Sequence, residues 1–304
     1  MNIRNNLSFI HYIKSYQYTL RDLLKIDFLF GYVKTYNNFP SVLINTFIRK
    51  KFPIEVTLRN GKRLQLYHER DVHLLTAGML WKYAKIDDDA LIIYPKSLPI
   101  VKFYNWRSGG DLIAIFISEE YKFLPIQGKT VIDIGANVGD SAIYFAMKGA
   151  EKVIALEPMR KNYESAKKNI QANDLLEKIS LLLAACSNST GKITIDPEIA
   201  GNQARLEASE KGIAIPTMTL ENILSTYNID SAILKLDCEG CEYDVILSSS
   251  VETLQKFTHM QIEYHYGYRN LKEKLEESGF FVSITNPIRF KKGEYVGYIY
   301  ATRN

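Results

Sequence analysis

Short apolar runs alternate with amphipathic stretches through the second half of the chain, from about residue 129 onward. Apolar runs of this length predict buried strands, and the stretches between them place apolar residues at helical spacing, as in Tyr163, Ala166 and Ile170. Strands that are apolar on both faces and alternate with helices form a parallel sheet covered on both sides. The predicted strands are residues 131–136, 153–156, 179–185, 232–236, 260–264, 280–285 and 295–301.

The last two predicted strands are joined by a loop that is too short for a crossover helix, which means that the final strand runs antiparallel. Thr219 has the side-chain oxygen that a helix N-cap needs, so a helix is expected from Leu220 onward. The pattern therefore predicts an α/β fold with a seven-stranded, mostly parallel sheet whose last strand is antiparallel.

The first part of the chain has a less regular pattern. Within residues 54–66, alternating apolar residues flank Arg59-Asn60-Gly61-Lys62. Asn-Gly between two such runs predicts a hairpin with a two-residue turn, because both central positions of that turn need positive φ. We therefore divide the chain into a mainly helical N-terminal region with a β-hairpin, residues 1–124, and an α/β domain, residues 125–304.

The composition is that of a globular protein, with 46% hydrophobic and 24% charged residues among 304. No apolar run reaches the ~18 residues that span a bilayer, and the start, MNIRNNLSFIHYIK, lacks the apolar core of a signal peptide. Three cysteines are too few for a disulfide-stabilised secreted scaffold. These features predict a soluble, cytoplasmic protein.

Positive charge is concentrated near the N-terminus, although the net charge of +4 is too small to indicate a nucleic-acid-binding protein. Residues 1–60 contain nine Lys or Arg and three Asp or Glu, with aromatic residues between them. These aromatic residues are Tyr12, Tyr16, Tyr18, Phe28, Phe30, Tyr32 and Tyr36. The favoured interpretation is a helical cap whose aromatic side chains pack on the main domain. Contact with a phosphate backbone or a membrane surface is the alternative.

Polar residues follow the predicted strands where each one ends, which is where ligands bind to a parallel sheet. They are Asp133, Glu157, Ser187, Asp237, Glu263 and His265. A loop or helix-capping role could explain any one of them, but their recurrence at successive strand ends indicates a ligand site.

The first of these positions belongs to the stretch VIDIGANVGD, residues 131–140. Gly135 permits a tight turn and the close approach of a ligand, and Gly139 lets the next helix start near the strand. Asn137 stands where a dinucleotide-binding turn has its second glycine, so a pyrophosphate would lose its close approach to the backbone. Asp133 would repel phosphates but attract the ammonium and sulfonium groups of S-adenosylmethionine.

Glu157 comes 22 residues after Gly135, at the end of the second predicted strand. An acidic residue at about this distance, roughly 20 positions on, accepts hydrogen bonds from ribose hydroxyls in nucleotide-binding folds. A solvated carboxylate at a strand end is the alternative interpretation.

Several stretches that contain these residues resemble the FkbM family of S-adenosylmethionine-dependent methyltransferases. They are VIDIGANVGDSAIYFA (131–146), IALEPMRKNYESAKKNIQAN (154–173), LLLAACSNSTGKITI (181–195) and ILKLDCEGCEYDVIL (233–247). The last is similar to the family's Lys-Ile-Asp-x-Glu-Gly-x-Glu signature, with Leu236 in place of the isoleucine and a cysteine at each variable position. Gln261-Ile262-Glu263-Tyr264-His265 resembles the acidic-x-His end of the family's fifth strand. The resemblance covers residues 125–285 and leaves residues 1–124 without a role.

This resemblance implies a class I, Rossmann-like methyltransferase fold and S-adenosylmethionine as the cofactor. It also implies methyl transfer, typically to a hydroxyl oxygen of a sugar or another small metabolite. The cofactor contacts that it implies are Asp133, Gly135, Asn137, Gly139, Glu157, Ala185 and Ser187. The last two are expected near the adenine.

Catalytic residues are predicted from the strand ends, because a hydroxyl is a poor nucleophile until a nearby base removes its proton. Glu263 and His265 lie on one side of the fifth predicted strand. Asp237 would converge with His265 if the fourth and fifth strands are neighbours. We predict that His265 is the general base, that Glu263 orients it and that Asp237 places the sulfonium or the acceptor. A structural histidine is the alternative.

Three further patterns bear on the chemistry. Asp237, Glu239, Glu263 and His265 could hold Mg²⁺, although the favoured prediction is that no metal is bound. Cys238 and Cys241 have the C-x-x-C spacing of redox sites, but they occupy variable positions of the signature, so small buried residues are expected. Asn286-Pro287-Ile288 lacks the second proline and the aromatic residue found in amino methyltransferases, so base amino groups are not expected acceptors.

The predicted partner is a small-molecule or glycan acceptor, and the oligomeric state stays open. One alternative is an RNA (tRNA) methyltransferase that holds the phosphate backbone with its basic N-terminal region. Another is a catalytically silent binding protein that has kept the fold, although the presence of Asp133, Gly135, Glu157 and Asp237 argues against it. Peripheral contact of the N-terminal segment with a membrane also stays open, although no transmembrane segment is predicted.

Overall fold

The computed structural model describes residues 26–80, 82–106, 111–195, 212–291 and 294–303. The predicted roles of Tyr12, Tyr16 and Tyr18 fall outside these residues. The chain forms two compact units, the first ending at Glu120 and the second running from Tyr121 to Asn304. No helix among the described residues is both long enough and apolar enough to cross a membrane.

The first unit combines short helices with two small antiparallel sheets. Its elements are α1 Ile26–Thr35, α2 Phe39–Leu43 with a π-helical continuation Ile44–Arg49, β1 Ile54–Thr57, β2 Arg63–Leu66, α3 Glu69–Leu80, β3 Ala84–Asp87, β4 Ala90–Ile93, β5 Val101–Phe103 and α4 Leu112–Phe116. Strands β1 and β2 pair with each other, and β3, β4 and β5 form the second sheet in that order.

Two aromatic residues of the basic segment lie in the core of this first unit. Tyr32 and Tyr36 have no exposed surface, and their rings are 5.8 Å apart between centroids. The Tyr36 hydroxyl donates a hydrogen bond to the carbonyl oxygen of Val72, at 3.0 Å. These two side chains therefore contribute to packing and are not available for a phosphate backbone.

The predicted Asn-Gly hairpin is confirmed, but its turn is one residue longer than expected. The backbone N–H of Leu58 donates to Lys62, and that of Gly61 donates to Leu58. Arg59, Asn60 and Gly61 therefore form a three-residue loop in which Gly61 has φ +84°. Glycine at the left-handed position of such a loop is favoured because it has no Cβ.

The second unit contains the α/β sheet. Its elements are β6 Thr130–Ile134, α5 Asp140–Met147, β7 Lys152–Leu156, α6 Arg160–Ala172, β8 Ile179–Leu182, β9 Ala185–Cys186, β10 Gly191–Ile195, β11 Ile213–Met218, α7 Leu220–Thr226, β12 Ala232–Leu236, α8 Glu242–Ser248, α9 Val251–Leu254, β13 Phe257–Tyr264, α10 Arg269–Glu277, β14 Phe281–Ile284, β15 Ile288–Lys291 and β16 Glu294–Thr302. The helix predicted after Thr219 is confirmed, because the Thr219 side chain accepts the backbone N–H of Asn222 at 3.1 Å.

The strand order of the main sheet is β14-β16-β13-β12-β6-β7-β8. Strands β8, β7, β6, β12 and β13 run parallel, whereas β16 is antiparallel to both β13 and β14. The last strand, β16, therefore lies between β13 and β14. This arrangement confirms the predicted class I methyltransferase fold, a mostly parallel Rossmann-like sheet with an antiparallel last strand.

Two details of the sheet differ from the sequence prediction. Strand β8 ends at Leu182 instead of continuing to Ala185, and Ala185 pairs with Thr217 in a separate three-stranded sheet. Strand β15 also pairs with β16 and was not predicted. Both differences are local, because the apolar pattern does not distinguish a continuous strand from two short ones.

Burial of the central strands follows from their apolar sequences. Every side chain of β12 is buried, including that of Lys235. The side chains of β6 and β7 are also buried apart from their first residues. A lysine in the middle of this apolar sheet needs a compensating charge, and Asp133 on the neighbouring strand β6 provides it.

Candidate active site

The candidate site lies where the carboxyl ends of β6, β7, β12 and β13 meet. Strand β6 pairs with β7, the next strand along the chain, on one side and with the sequence-distant strand β12 on the other. The connection from β6 leads to β7 on one side, whereas the connection from β12 leads to β13 on the other, and a crevice for ligands forms between two such strands in open parallel sheets.

The turn after β6 has the tight geometry that its glycines predict. Gly135, Asn137 and Gly139 all have positive φ, at +82°, +47° and +86°. A Cβ on Gly135 would lie 1.9 Å from the carbonyl oxygen of Asp237, so no other residue fits at this position. A Cβ on Gly139 would lie 3.2 Å from Ala166. The turn is therefore held closely between the end of β12 and helix α6.

Asp133 is paired with Lys235 and is fully buried, which argues against the predicted direct contact with the methyl donor. The Lys235 ammonium lies 3.1 Å from the Asp133 carboxylate, whose exposure is 0%. The other Asp133 oxygen accepts the Ser141 hydroxyl at 2.7 Å. Asp133 therefore acts on the glycine turn through Lys235.

Lys235 links the central strand to the glycine turn. Its ammonium donates to the carbonyl oxygens of Ile134 and Gly135, at 3.2 and 2.7 Å, in addition to the Asp133 carboxylate. All three ammonium hydrogens therefore have acceptors. Burial alone would lower the pKa of Lys235, but the carboxylates of Asp133 and Asp237 raise it, so the residue remains charged.

Glu157 connects the end of β7 to the glycine turn. One of its carboxylate oxygens accepts the backbone N–H of Asn137 and the other accepts that of Met159, both at 2.8 Å. Burial raises the pKa of Glu157 to about 7, although both N–H donors act in the opposite direction. The carboxylate keeps further lone pairs, so it can still accept hydroxyl groups of a ligand.

The turn contains one polar atom that fits a bound cofactor. The side-chain oxygen of Asn137 is buried and has no hydrogen-bond partner among the described residues. A buried acceptor without a donor is costly, and a ligand that brings an N–H or O–H group would satisfy it. Together with Glu157 and the close approach at Gly135, this acceptor fits S-adenosylmethionine, which carries ribose hydroxyls and an ammonium group.

The two residues predicted near the adenine lie beyond the end of β8. Ala185 is buried in β9, and Ser187 is half-buried. The backbone N–H of Ser187 donates to the carbonyl oxygen of Met218, at 2.9 Å. Their contact with the adenine stays a prediction.

His265 follows β13 and is held between two glutamates. Its Nδ1 lies 2.6 Å from Glu242 and its Nε2 lies 3.2 Å from Glu239. Carboxylate oxygens are acceptors, so both ring nitrogens carry protons in this arrangement. Burial would lower the pKa of His265, but its hydrogen bonds with Glu239 and Glu242 raise it to about 12. The ring is therefore an imidazolium at neutral pH.

This arrangement bears on two predictions about His265. Both ring nitrogens already contact Glu239 and Glu242, so Glu263 does not orient the ring. Glu263 lies instead on β13 opposite Tyr298 of β16. A protonated imidazolium cannot accept a proton, so this arrangement argues against His265 as the general base.

The predicted convergence of Asp237 with His265 is confirmed, and Glu239 joins them. One ligand atom from each of these three side chains lies within 4.8 Å of the others. Burial raises the pKa of Glu239, and the charge of Asp237 raises it further. Such a set of one imidazole and two carboxylates could in principle hold a divalent cation. Glu263, the fourth residue considered for Mg²⁺, does not belong to the set.

The two cysteines of the signature are joined in a disulfide. Cys238 and Cys241, which are separated by three positions, form this bond, whereas Cys186 is free and buried. The prediction that they are merely small buried residues is therefore wrong. The C-x-x-C spacing was the available signal, but the same spacing also fits unpaired cysteines.

Glu242 and Lys235 are the site residues that the sequence analysis did not identify. Glu242 has no exposed surface and reaches His265 across 23 positions of the chain. Both belong to the signature around Asp237, and their charged side chains within an apolar stretch were the available signal. The main-chain geometry that brings them to their partners is not visible in the sequence.

Part of the chain matches a known protein family. Residues 133–282 match the family model described as the methyltransferase FkbM domain. Comparison with curated proteins finds no match. Among solved structures, the chain is similar to precorrin-6y C5,15-methyltransferase from Geobacter metallireducens GS-15, with 14% identity, a TM-score of 0.39, and coverage of 65% of this chain and 93% of that chain.

Two further solved structures have a similar level of likeness. M. jannaschii TYW2 in complex with AdoMet has 16% identity and a TM-score of 0.40, covering 72% of this chain and 89% of that chain. Trm5b from Pyrococcus abyssi has 12% identity and a TM-score of 0.41, covering 72% and 62%. Identities this low say nothing about the acceptor. The strand order, the signature residues and the match over residues 133–282 together identify an S-adenosylmethionine-dependent methyltransferase domain of the FkbM type within this chain.

Proposed function

We propose that the protein transfers the methyl group of S-adenosylmethionine to a hydroxyl oxygen of a sugar, glycan or other small metabolite. The observation that carries this proposal is the group of carboxylates around His265 beside the end of β12, formed by Asp237, Glu239 and Glu242. A neutral amine can attack a methyl group without prior loss of a proton, whereas a hydroxyl needs a proton acceptor within hydrogen-bond reach. Carboxylates at this position supply that acceptor.

The residues of the glycine turn would hold the cofactor. When bound, S-adenosylmethionine supplies an electrophilic methyl group on a positively charged sulfur. Glu157 would accept the ribose hydroxyls, and the unpaired Asn137 oxygen would accept another donor of the cofactor. Gly135 would let the backbone approach it closely, and Gly139 would keep α5 near the turn. The surrounding carboxylates favour a cationic donor over a nucleotide diphosphate.

Asp237 is our candidate for the residue that receives the acceptor's proton. Its main chain lies against the Gly135 turn, and its side chain belongs to the same group as those of Glu239 and His265. Asp237 therefore lies between the turn proposed to bind the methyl donor and the group of side chains proposed to face the methyl acceptor. In-line methyl transfer depends on alignment of the acceptor oxygen, the methyl group and the sulfur, and such alignment supplies roughly 7 kcal/mol or more.

His265 is then a positioning residue. The imidazolium balances part of the charge of three nearby carboxylates and fixes Glu239 and Glu242 through its two N–H groups. Without this charge, Glu239 and Asp237 would repel each other. Loss of His265 would therefore misplace the acceptor without removing the residues that bind the cofactor.

The variant Asp237→Asn tests this assignment. We expect kcat to fall by roughly 10²–10⁴-fold, because a general base contributes about this much, while the Kd for S-adenosylmethionine stays close to that of the unmodified protein. Asp230→Asn is the matched control, since the Asp230 side chain is 97% exposed and far from this chemistry. An unchanged kcat in Asp237→Asn would remove Asp237 from the mechanism.

The acceptor class is tested with a labelled methyl donor and separate pools of sugars, lipid-linked glycans and tRNA. We expect label in the sugar or glycan pools. Label in tRNA, with an affinity that falls steeply as salt rises, would instead indicate the RNA methyltransferase. Tight cofactor binding without transfer to any pool would indicate a silent binding protein, and either result would overturn the proposal.

A further inference from the structure

The disulfide encloses the loop that carries the carboxylates of the proposed site. Cys238 directly follows Asp237, and Cys241 directly precedes Glu242. The bond between the two cysteines closes a small ring that contains Glu239, whose carboxylate lies 3.2 Å from Nε2 of His265. Glu239 therefore lies inside the ring closed by the disulfide, and Asp237 and Glu242 lie directly next to it in the sequence.

The backbone between Cys238 and Cys241 adopts positive φ angles. Glu239 has φ +58°, which is unfavourable for a residue with a Cβ, and Gly240 has φ +123°. Gly240 also faces the ring of Tyr266, because a Cβ added to this glycine would lie 3.3 Å from that ring. A covalent link between the flanking residues restricts the loop and so helps to keep Glu239 in this conformation.

Cys238 also contacts the second glutamate that holds His265. Its sulfur lies 3.4 Å from Oε2 of Glu242, which accepts the backbone N–H of Gly240 at 2.9 Å. A disulfide sulfur carries no proton, whereas a thiol sulfur does and can donate to this oxygen. Reduction would therefore add a donor to the carboxylate whose other oxygen accepts Nδ1–H of His265. The redox state of Cys238 is linked in this way to the hydrogen bonding of His265.

The cysteines differ in their access to small reagents. Cys238 and Cys241 are half-buried and are therefore more exposed than Cys186. Cys186 is 3% exposed, and burial raises the pKa of its thiol to about 12. Thiol–disulfide exchange needs an accessible thiolate. Cys186 is therefore a suitable internal control for the pair.

We propose that Cys238 and Cys241 form a reversible thiol–disulfide modification site, which exchanges with low-molecular-weight thiols and disulfides of the glutathione class. The oxidised pair holds Glu239 against His265, and the reduced pair releases Glu239 and hydrogen-bonds Glu242 through the Cys238 thiol. The predicted effect on methyl transfer rests on the proposed function, whereas the exchange itself and its effect on His265 do not.

The exchange is balanced in electrons and protons. In oxidation, the thiolate of one cysteine attacks a small disulfide, forms a mixed disulfide and expels one small thiolate. The second cysteine thiolate then attacks the protein sulfur, closes the Cys238–Cys241 bond and expels the second small thiolate. The pair loses two electrons and two protons, and the small disulfide becomes two thiols. Reduction is the reverse of these steps.

The test is a titration of the full chain in buffers with different ratios of oxidised to reduced glutathione. Maleimide labelling after denaturation, read by intact mass, counts the free thiols. We expect one free thiol in oxidising buffer and three in reducing buffer, with a reversible two-electron transition between them. A pair that stays reduced in oxidised glutathione, or that never opens in excess thiol, would overturn the proposal.

The link to His265 is tested by NMR of ¹⁵N-labelled histidine in the same buffers, without any methyl acceptor. We expect the ring resonances of His265, assigned from the His265→Gln variant, to shift on reduction. The Cys238→Ala/Cys241→Ala variant should give no redox response, and Cys186→Ala should respond like the unmodified protein. Unchanged His265 resonances on full reduction would overturn the proposal. Failure to methylate any acceptor would instead contradict the proposed function alone.

Discussion

The ammonium of Lys235 lies 3.1 Å from the carboxylate of Asp133, and the exposures of the two side chains are 3% and 0%. The two residues are register partners on the neighbouring central strands β12 and β6. The same ammonium also contacts the carbonyl oxygen of Gly135, so the ion pair extends to the first residue of the cofactor turn. The pair therefore connects the stability of the sheet to the geometry of the turn.

Replacement of Lys235 by methionine should be strongly destabilising. The change leaves the Asp133 carboxylate buried without its counter-charge, and breaking a buried pair in this way costs about 3–5 kcal/mol. The free energy of unfolding, measured by urea denaturation, should fall by this amount. The double variant Lys235→Met/Asp133→Leu should recover part of the loss, because it leaves no unpaired buried charge. A single variant as stable as the original chain would contradict the role of the pair.

Binding of S-adenosylmethionine should depend on pH through Glu157. Burial raises the pKa of this carboxyl from 4.5 to about 7, so the cofactor-free protein retains this proton well above the pH at which an unfolded chain loses it. Ribose hydroxyls donate to the ionised carboxylate, so binding should release the proton below about pH 7, and affinity should rise as pH increases towards 7. Calorimetry in buffers with different ionisation enthalpies measures the release.

The same raised pKa predicts the sign of a stability change in the cofactor-free protein. The folded state favours the protonated carboxyl, so stability should decline as pH rises from about 4.5 to about 7 and then level off. Glu157→Gln is the matched control, because it cannot ionise. Proton release on binding that persists in Glu157→Gln would show that another group is responsible.

Alanine at Gly135 should be far more damaging than alanine at Gly61, although the two residues have almost the same φ. Gly135 has φ +82° and Gly61 has φ +84°, so the conformational cost is similar, about 1–2 kcal/mol. A Cβ on Gly61 meets nothing within 4 Å, whereas a Cβ on Gly135 overlaps the carbonyl oxygen of Asp237. Gly135→Ala should therefore lose cofactor binding, measured by calorimetry, and Gly61→Ala should keep it. Equal binding by both variants would show that the close approach is unimportant.

The sequence predicted those parts of the fold that depend on apolar pattern. The parallel strands, the antiparallel last strand and the helix after Thr219 follow from local spacing and capping chemistry, which act within a few residues. The glycine turn was also predictable, because Gly135 and Gly139 are needed there for backbone reasons. The prediction succeeds where a residue's role is decided by its immediate neighbours.

The pairing of charged side chains was not predictable in the same way. Spacing indicated Glu263 as the partner of His265, because the two residues lie on one side of β13, but Glu239 and Glu242 contact the ring instead. Their position depends on how the loop after β12 turns, with Glu239 at φ +58°. Likewise, the sequence predicted that Asp133 contacts a ligand. Its burial and its ion pair with Lys235 depend on the register of two strands that are distant along the chain.

Removal of divalent cations should leave methyl transfer unchanged. Asp237, Glu239 and His265 lie close enough to bind an ion, but both nitrogens of His265 already contact carboxylates, and the imidazolium supplies the positive charge that a cation would bring. A metal would have to displace a proton from a group whose neighbouring glutamates hold it firmly. The measurement compares initial rates before and after treatment with a chelator and gel filtration. A loss of activity that added Mg²⁺ or Mn²⁺ restores would show that these three residues are metal ligands.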